Sequence, residues 1–255
     1  MKALIFAAGL GTRLGAITRT MPKALVEVGG EPMLKRVIIK LKDAGISEMV
    51  VNIHHHADAI RDYLAVNNNF GANISISDES KSLLDTGGGL LKAKELLGTD
   101  SPILLHNADI LTDFDIREMI ETHLGSESDV TLLVAERQTT RYLLFDESMR
   151  MRGWTDLRTG EIRSPWTADD IADCHKLAFG GVHIVNPAIF KPLESFSREP
   201  KFSITPFYTA SCRELRISGF KPERPYNWID IGKPESLKAA QNIASKLPPI
   251  AVEEY

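Results

Sequence analysis

The chain has 255 residues and a formal net charge of −4, and its hydrophobic (43%) and charged (25%) fractions are those of an ordinary globular protein. These values exclude a disordered, collagen-like or coiled-coil chain, and the mildly acidic balance argues against a long nucleic acid as partner. Two cysteines are too few for a disulfide framework, and no apolar run approaches the about 18 residues that cross a bilayer, so we expect a cytoplasmic protein without a membrane partner.

Strands and helices alternate along the first 135 residues. Ala3–Ala8 is a continuous apolar run, as expected for a strand buried on both faces of a parallel sheet. Further strands are predicted at Glu48–Ile53, Asn73–Ser77, Pro102–Leu105 and Val130–Ala135, and helices at Glu31–Ala44, Ala57–Val66, Gly88–Leu97 and Ile116–Leu124. This alternation predicts an α/β sheet with right-handed crossovers.

The pattern loosens after residue 136, where strands are predicted at Arg141–Phe145, Lys176–Val185 and Leu215–Phe220. Residues 153–173 form the longest irregular stretch, and long loops in compact domains are often binding or lid segments. An amphipathic helix is predicted at Pro234–Lys246, followed by a frayed tail. No linker or repeat separates these parts, so residues 1–255 are predicted to form one domain.

The loop after the first predicted strand has the sequence AAGLGTRL (residues 7–14) and is followed by Lys23. Glycines directly after a buried strand let backbone N–H groups approach a phosphate closely. The loop is neither a dinucleotide fingerprint, because Leu14 stands at the third glycine position, nor a Walker loop, because no Gly-Lys-Ser/Thr closes it. An ordinary tight turn is the alternative, but Arg13 and Lys23 flank the glycines and suit phosphate oxygens.

Two aspartates and one glycine run complete the candidate site. Asp109 follows the predicted strand of residues 102–105, in the run Asn107-Ala-Asp109. Asp230 stands in the run WIDIG (residues 228–232). Each aspartate taken alone is more typical of a turn or helix cap, but next to a phosphate-binding loop a carboxylate at the rim of such a sheet is a natural magnesium ligand. Residues 85–89 read DTGGG, which indicates close approach by a ligand or by another backbone, with a flexible loop as the alternative.

These motifs together resemble the sugar-phosphate nucleotidyltransferases, and most closely their short bacterial branch, which contains N-acetylmuramate-1-phosphate and mannose-1-phosphate transferases. The resemblance runs from residue 3 to about residue 233 and also includes Phe179-Gly-Gly-Val182. It implies a single Rossmann-like α/β domain with a mostly parallel mixed sheet flanked by helices and without the C-terminal β-helix of longer members. It also implies a nucleotide-binding half (1–135), an acceptor-binding half (136–233) and a C-terminal helix and tail (234–255).

The resemblance further implies a magnesium-dependent transfer of a nucleoside monophosphate from an NTP to a sugar 1-phosphate. Arg13, Lys23 and Asp109 would be catalytic, and Asp109 and Asp230 would hold the metal ion. The nucleotide would be bound by Ala7, Ala8, Gly9, Gly11, Thr12, Arg13, Lys23, Asp85, Thr86, Gly87 and Asn107. The acceptor would be bound by Gly153, Glu161, Lys176 and Gly181. The charged and aromatic residues of segment 153–173 separately predict that it forms a wall of the acceptor pocket and orders on binding, with a solvated insertion as the alternative.

Two other functions stay open at this stage, together with the base, the sugar and the choice between a monomer and a small homo-oligomer. One is a cytidylyltransferase acting on a phosphorylated amino alcohol such as phosphocholine, whose cation an aromatic cage would hold. The rings available for such a cage are Trp154, Trp166, Phe179, Phe207, Tyr208 and Trp228. The other is a non-catalytic, nucleotide-binding regulatory module of the same fold.

Overall fold

The computed structural model describes residues 1–247, and its centre is a ten-stranded mixed sheet. The strands of the described chain are β1 (Lys2–Phe6), β2 (Glu27–Val28), β3 (Glu31–Pro32), β4 (Glu48–Ile53), β5 (Asn73–Asp78), β6 (Ile103–Asn107), β7 (Ile110–Thr112), β8 (Val130–Ala135), β9 (Arg141–Phe145), β10 (Met151–Asp156), β11 (Glu161–Arg163), β12 (His175–Val185), β13 (Ile217–Phe220) and β14 (Trp228–Asp230). The α-helices are α1 (Met33–Asp43), α2 (Ala57–Val66), α3 (Asp85–Leu97), α4 (Ile116–Leu124), α5 (Ala168–Ile171), α6 (Phe190–Phe196), α7 (Ile204–Ser211) and α8 (Pro234–Ala244).

The central sheet has a parallel part and an antiparallel part. Its strands follow the order β11-β10-β9-β12-β6-β1-β4-β5, while β8 pairs with β12 and carries β13. The strands β6, β1, β4 and β5 are mutually parallel, whereas β12 runs antiparallel to β6, β8 and β9. The predicted single α/β domain with a mostly parallel mixed sheet flanked by helices is therefore confirmed, and β6, β1, β4 and β5 form its parallel part.

Both faces of the sheet are covered, which explains the unbroken apolar run of β1. Ala3 and Ile5 belong to one apolar cluster, which includes residues of α1, α2 and α4, and Leu4 belongs to another, which includes residues of α3, α6 and α7. Successive strand residues point to opposite faces, so a strand between two helical layers needs apolar side chains at every position. The predicted helices at Ala57–Val66 and Ile116–Leu124 are confirmed at both ends.

The structure corrects three predictions of local structure. Residues 153–173 are not irregular: they contain most of β10, all of β11 and the short helix α5, which starts at a capping box of Thr167 and Asp170. The sequence pattern did not predict the β10–β11 hairpin, because β11 is exposed throughout and an exposed edge strand shows no alternation of buried and exposed residues. The helix α1 begins two residues later than predicted, because Glu31–Pro32 pairs with β2, and α3 begins at Asp85 rather than Gly88.

The C-terminal helix α8 ends at Ala244, two residues before the predicted end. It packs in a separate apolar cluster with residues that follow the glycine loop, such as Val26 and Val28. The predicted frayed tail falls mainly on residues 248–255, which lie outside the described residues. Among the helices that are described, none combines the length and the apolar character that crossing a membrane requires.

Candidate active site

The start of the glycine loop, just after β1, is held by the buried side chain of Asn52, which no sequence motif had indicated. The Oδ1 atom of Asn52 accepts hydrogen bonds from the backbone N–H groups of Ala7 (2.7 Å) and Ala8 (3.2 Å). Its Nδ2 group donates to Oε1 of Glu79 at 2.8 Å, and the other oxygen of Glu79 accepts from the N–H of Leu84 at 3.0 Å. The N–H groups of Ala7 and Ala8 are therefore occupied, and the later N–H groups of the loop remain to face a ligand.

The carboxyl group of Glu79 is fully buried, and burial raises its pKa above the ordinary glutamate value. Hydrogen bonds from Leu84 and Asn52 oppose that shift. The pair of Asn52 and Glu79 joins the ends of β4 and β5, the glycine loop and the start of α3. Four segments that are distant in sequence are thus held by one buried polar network, which is costly to leave partly unsatisfied.

Within the glycine loop, Gly11 is required by the backbone conformation and by packing rather than by contact with a ligand. Gly11 has φ +64, and a Cβ atom there would lie 2.8 Å from the Thr18 side chain and 3.1 Å from that of Lys23. The Thr18 hydroxyl donates to the carbonyl oxygen of Gly11 at 2.9 Å. At Gly9, by contrast, a Cβ atom would meet nothing within 4 Å. Gly11 is required by packing, whereas the space above Gly9 is open.

Two cations and two carboxylates meet at the rim of the sheet. The ammonium group of Lys23, whose residue is 8% exposed, forms an ion pair with Oδ2 of Asp109 and lies 3.4 Å from Oδ1 of Asp230. The guanidinium of Arg13 lies 3.8 Å from Oδ2 of Asp230. A Cβ atom at Gly232 would sit 2.6 Å from that guanidinium and 2.8 Å from Oδ1 of Asp230, so a larger residue there would displace the Arg13 side chain. The predicted juxtaposition of these four residues is present in the structure.

Backbone pairing brings the two aspartates together across 121 residues of sequence. The strand β7, which starts just after Asp109, pairs antiparallel with β14, so that Asp230 lies opposite Ile110. The N–H of Ile231 donates to the carbonyl oxygen of Asp109 at 3.0 Å, and that of Ala108 donates to Phe6 at 3.1 Å. The second aspartate therefore reaches the site through a two-stranded ribbon that no local sequence pattern reveals.

The donor set fits a magnesium ion that is completed by substrate. Within residues 1–247 no group of three or more His, Cys, Asp or Glu side chains could hold a metal ion. Two carboxylates are nevertheless what magnesium takes from a protein when phosphate oxygens and water supply its remaining ligands. Asp109 and Asp230 are 25% and 36% exposed at their side chains, so both are accessible to a ligand, and Asp230 lines the cavity described below.

The glycine run of residues 85–89 serves contact between two backbones. The N–H groups of Gly87 and Gly88 both donate to the carbonyl oxygen of Phe202, at 2.9 and 3.2 Å. A Cβ atom would lie 2.3 Å from the Phe202 ring at Gly87 and 2.1 Å from the Pro200 carbonyl oxygen at Gly88. At Gly87 and Gly88 the structure therefore shows close approach by another backbone, rather than by a ligand.

The predicted nucleotide residues before these glycines differ in their surroundings. Asp85 is exposed, has φ +61, and accepts a hydrogen bond from the N–H of Thr86 at 2.7 Å. The hydroxyl of Thr86 accepts from the N–H of Ile204 at 2.9 Å, which ties α3 to α7. Thr86 thus has a structural partner already, while the carboxylate of Asp85 faces solvent.

A cavity of about 730 Å³ opens beside the carboxylates. It lies where β12 passes from its pairing with β9 (His175–Leu177) to its pairing with β6 (Val182–Val185), at a break in its register with β8. Gly181, with φ +73, sits at this break against the Asn107 side chain. The lining residues used below are Asn107, Arg137, Arg141, Trp154, Asp156, Arg158, Glu161, Arg163, Phe179, Gly181, Trp228 and Asp230.

The predicted acceptor residues do not all lie in this cavity. Glu161 and Gly181 line it, and the segment 153–173 supplies one wall of it, as predicted from its composition. Gly153 is buried and packs against β11 instead, so that a Cβ atom there would lie 2.6 Å from the Arg163 carbonyl oxygen. Lys176 is exposed and borders a separate small depression with Glu136.

Guanidinium groups already cover the aromatic faces of the cavity. The guanidinium carbon of Arg137 lies 3.4 Å from the centre of the Trp228 ring, and that of Arg163 lies 5.0 Å from the centre of the Trp154 ring. The Trp228 indole N–H donates to the carbonyl oxygen of Gly180 at 2.8 Å, which fixes the ring. Arg137, which no motif singled out in the sequence, therefore adds a cationic group to the cavity that Asp230 also lines.

Two buried histidines near the site are too weakly basic to serve as a general base at neutral pH. His106 on β6 and His183 on β12 are buried, and burial lowers the pKa of His106 to about 4 and that of His183 to about 3. Both rings are therefore neutral, and His183 packs between the rings of Phe179 and Tyr208. No general base from these two residues enters the chemistry that the site can support.

Comparison with known proteins shows one family over most of the chain. The family model described as "Nucleotidyl transferase" matches residues 2–145. The N-acetylmuramate alpha-1-phosphate uridylyltransferase of Neisseria meningitidis is 32% identical, covering 96% of this chain and 98% of the relative. The mannose-1-phosphate guanyltransferase of Hypocrea jecorina is 28% identical over 93% of this chain, which spans only 62% of that relative.

Solved structures share the fold at lower identity. A protein described as a glucose-1-phosphate thymidylyltransferase from Bacillus anthracis superposes with a TM-score of 0.82 at 19% identity, covering 97% of this chain and 96% of that one. The protein HddC from Yersinia pseudotuberculosis, in complex with GMP-PN, gives a TM-score of 0.73 at 23% identity over 95% of this chain and 98% of that one. The resemblance inferred from the motifs is confirmed.

Proposed function

Because the chain belongs to the nucleotidyl transferase family, we propose that it is a sugar-1-phosphate nucleotidyltransferase that uses magnesium. A phosphate oxygen of the sugar 1-phosphate attacks the α-phosphorus of an NTP. The bond from the α-phosphorus to the oxygen that bridges it to the β-phosphorus breaks, and pyrophosphate leaves with that electron pair. The products are an NDP-sugar and pyrophosphate. The observation that carries this proposal is the meeting of Arg13, Lys23, Asp109 and Asp230 beside a cationic cavity.

The reaction needs no general base from the protein. A phosphate monoester has a second pKa of about 6, so the acceptor is largely dianionic at neutral pH and is itself the nucleophile. The neutral, buried state of His106 and His183 agrees with this chemistry. Catalysis then consists of positioning two anionic substrates and neutralising the charge that develops on the leaving pyrophosphate.

Each charged group has a part in that task. Asp109 and Asp230 would hold magnesium, which supplies positive charge to the triphosphate when it is bound. Arg13 reaches out from the glycine loop, with a side chain that is 58% exposed, and would bind the leaving phosphates with its forked N–H groups. Lys23 is held between the two carboxylates and would keep a positive charge next to the reacting phosphate.

The charge of the cavity counts against the phosphocholine alternative. Four arginines line it, and the faces of Trp154 and Trp228 are covered by Arg163 and Arg137. A quaternary ammonium ion binds to open aromatic faces, and guanidinium groups already occupy these two. Asp156, Glu161 and Asp230 also line the cavity, so its four arginines leave an excess of one positive charge. Trp166, another ring of the suggested cage, instead packs against the guanidinium groups of Arg152 and Arg213.

The test is pyrophosphate release from each of the four NTPs and deoxythymidine triphosphate against a panel of sugar 1-phosphates. We expect turnover with at least one pair and a loss of about 100-fold or more in Asp109→Asn and Arg13→Ala. Asp100→Asn and Arg19→Ala change exposed groups of the same type and serve as matched controls. Binding of NTP without pyrophosphate release from any acceptor would instead identify a non-catalytic nucleotide-binding module.

A further inference from the structure

Two of the four arginines in the cavity are arranged around one buried carboxylate. Asp156 is 3% exposed, and its Oδ2 atom lies 3.4 Å from Nε of Arg141 and 3.6 Å from Nη2 of Arg158. Its Oδ1 atom accepts from the backbone N–H of Arg158 at 2.9 Å. That backbone hydrogen bond lowers the pKa of Asp156, and the guanidinium groups add to the effect, so the carboxylate stays charged at neutral pH.

The two guanidinium groups contact the carboxylate of Asp156 through one nitrogen each and are otherwise exposed. Their side chains are 65% and 68% exposed, against 4% for the Asp156 side chain. Asp156 neutralises one of the two positive charges and leaves the other. Among the contacts of residues 1–247, the terminal Nη groups of Arg141 and the Nη1 group of Arg158 have no side-chain acceptor, so a forked set of donors faces the cavity.

The other two arginines of the cavity are already engaged. Arg137 stacks on Trp228 and donates to the carbonyl oxygen of Phe179. Arg163 stacks on Trp154 and forms an ion pair with Glu161 at 2.7 Å. Since Arg137 stacks on Trp228, two residues before Asp230 on the same strand, it is placed for the phosphate that reacts there. The pair of Arg141 and Arg158 is left for a different group.

We propose that Arg141 and Arg158 form a second anion-binding site, so that the acceptor carries an anionic group, a carboxylate or a phosphate, in addition to its 1-phosphate. This inference rests on the proposed function and narrows it to one class of acceptor. The positions of the two arginines agree with it: Arg141 pairs with Asp156 across β9 and β10, and Arg158 stands in the turn just after them. The reaction at Asp230 and recognition at this hairpin then engage different anions of one molecule.

Matched acceptors test the inference directly. Glucose 1-phosphate, glucuronic acid 1-phosphate and glucose 1,6-bisphosphate differ only at C6, and N-acetylglucosamine 1-phosphate and N-acetylmuramate 1-phosphate differ only by a carboxylated ether. We expect at least one anionic member to exceed its neutral counterpart in kcat/KM by about ten- to a hundredfold, the range for hydrogen bonds to charged groups. A carboxylate and a phosphate are told apart by which member of the C6 series prevails.

The variants Arg141→Gln and Arg158→Gln should reduce that preference about tenfold while leaving the neutral acceptor and the NTP within about twofold. Arg158→Lys should retain part of the preference, since the charge remains and the fork is lost. Arg216→Gln, which breaks an arginine–glutamate pair at the surface with Glu127, is the control. Equal use of neutral and anionic acceptors, or an equal fall for both in the Gln variants, overturns the inference.

Direct binding separates this inference from the proposed function. The dissociation constants of the same acceptor pairs are measured calorimetrically with a non-hydrolysable NTP analogue and magnesium present. If no acceptor yields pyrophosphate, the proposed transfer fails, but a tighter anionic partner that depends on Arg141 and Arg158 still supports the site. Anionic and neutral acceptors that bind equally overturn the site, whether or not the enzyme turns over.

Discussion

The glycine-loop side and the hairpin side of the cavity, which we propose bind the nucleotide and the acceptor and call the nucleotide side and the acceptor side, are built in different ways. On the nucleotide side, a short loop is held by close packing at Gly11 and by the buried pair of Asn52 and Glu79. On the acceptor side, exposed guanidinium groups stand on the edge hairpin of β10 and β11. Packing fixes the first side in place, whereas long side chains shape the second. We therefore expect substitutions to act through structure on one side and through substrate choice on the other.

The largest loss of activity should come from substitution of Lys23, which lies between the carboxylates of Asp109 and Asp230. Lys23→Met removes the cation that faces Asp109 and Asp230, and we expect kcat to fall by about 100- to 1,000-fold, as when one preorganised electrostatic group is lost. Added magnesium should raise the melting temperature of this variant more than that of the wild type, because two carboxylates are left without their partner. Lys191→Met, at an exposed helix position, should change neither quantity.

Two glycine substitutions should separate packing from ligand contact within the nucleotide side. Gly88→Ala places a methyl group 2.1 Å from the Pro200 carbonyl oxygen, and overpacking of this kind costs about 1–3 kcal/mol. The gain in helix propensity, about 1 kcal/mol, offsets only part of it, so the midpoint of urea unfolding should fall. Gly9→Ala meets no atom within 4 Å and should keep that midpoint while raising the KM for NTP. An unchanged midpoint in Gly88→Ala would contradict the packing argument.

The pH dependence of stability should sharpen the role of Glu79. Its pKa in the folded protein lies above the unfolded value, so its contribution to stability is greatest when it is protonated and is lost as pH rises through the folded pKa. Glu79→Gln removes this titration. We expect the free energy of unfolding of the wild type to fall relative to that of the variant as pH rises from about 4 toward neutrality. Parallel pH profiles for the two proteins would show that Glu79 does not carry the raised pKa.

The same variant should also weaken nucleotide binding. An amide at this position must offer an N–H group to a donor, either to Leu84 N–H or to the Asn52 amide, and one of those hydrogen bonds is lost. Because the network sets the start of the glycine loop, the KM for NTP should rise about threefold to tenfold, while the acceptor KM stays within twofold. Gln241→Glu, a change between the same two side chains in α8 away from this network, provides the matched comparison.

The smallest effect is expected at Lys176. The structure places this lysine at the depression that it shares with Glu136, outside the cavity. Lys176→Ala should leave the KM of the acceptor within about twofold, whereas Glu161→Gln, in the cavity wall, should change it more, because it frees Arg163 from its ion pair. A large rise in the acceptor KM for Lys176→Ala would show that the hairpin moves toward that lysine during turnover.

The sequence by itself determined the elements whose signal is local. The strand β1 and the helices α2 and α4 follow from apolar periodicity, and the glycine loop with Arg13 and Lys23 follows from residue types placed next to a buried strand. The nearness of Asp109 and Asp230 could be expected only through the family resemblance, since 121 residues separate them. In the structure, the antiparallel pairing of β7 with β14 brings the two aspartates together.

Only the tertiary structure decided what the glycines near Gly88 and the arginines near Asp156 do. A glycine's neighbours and a guanidinium's partners are set by which segments fold against them, here residues 200–202 and the β10–β11 hairpin. The same holds for Asn52, which reads as an ordinary strand residue until the ends of β1, β4 and β5 lie side by side. Spacing along a chain encodes periodic burial, but it does not encode which distant backbone or charge arrives at a given side chain.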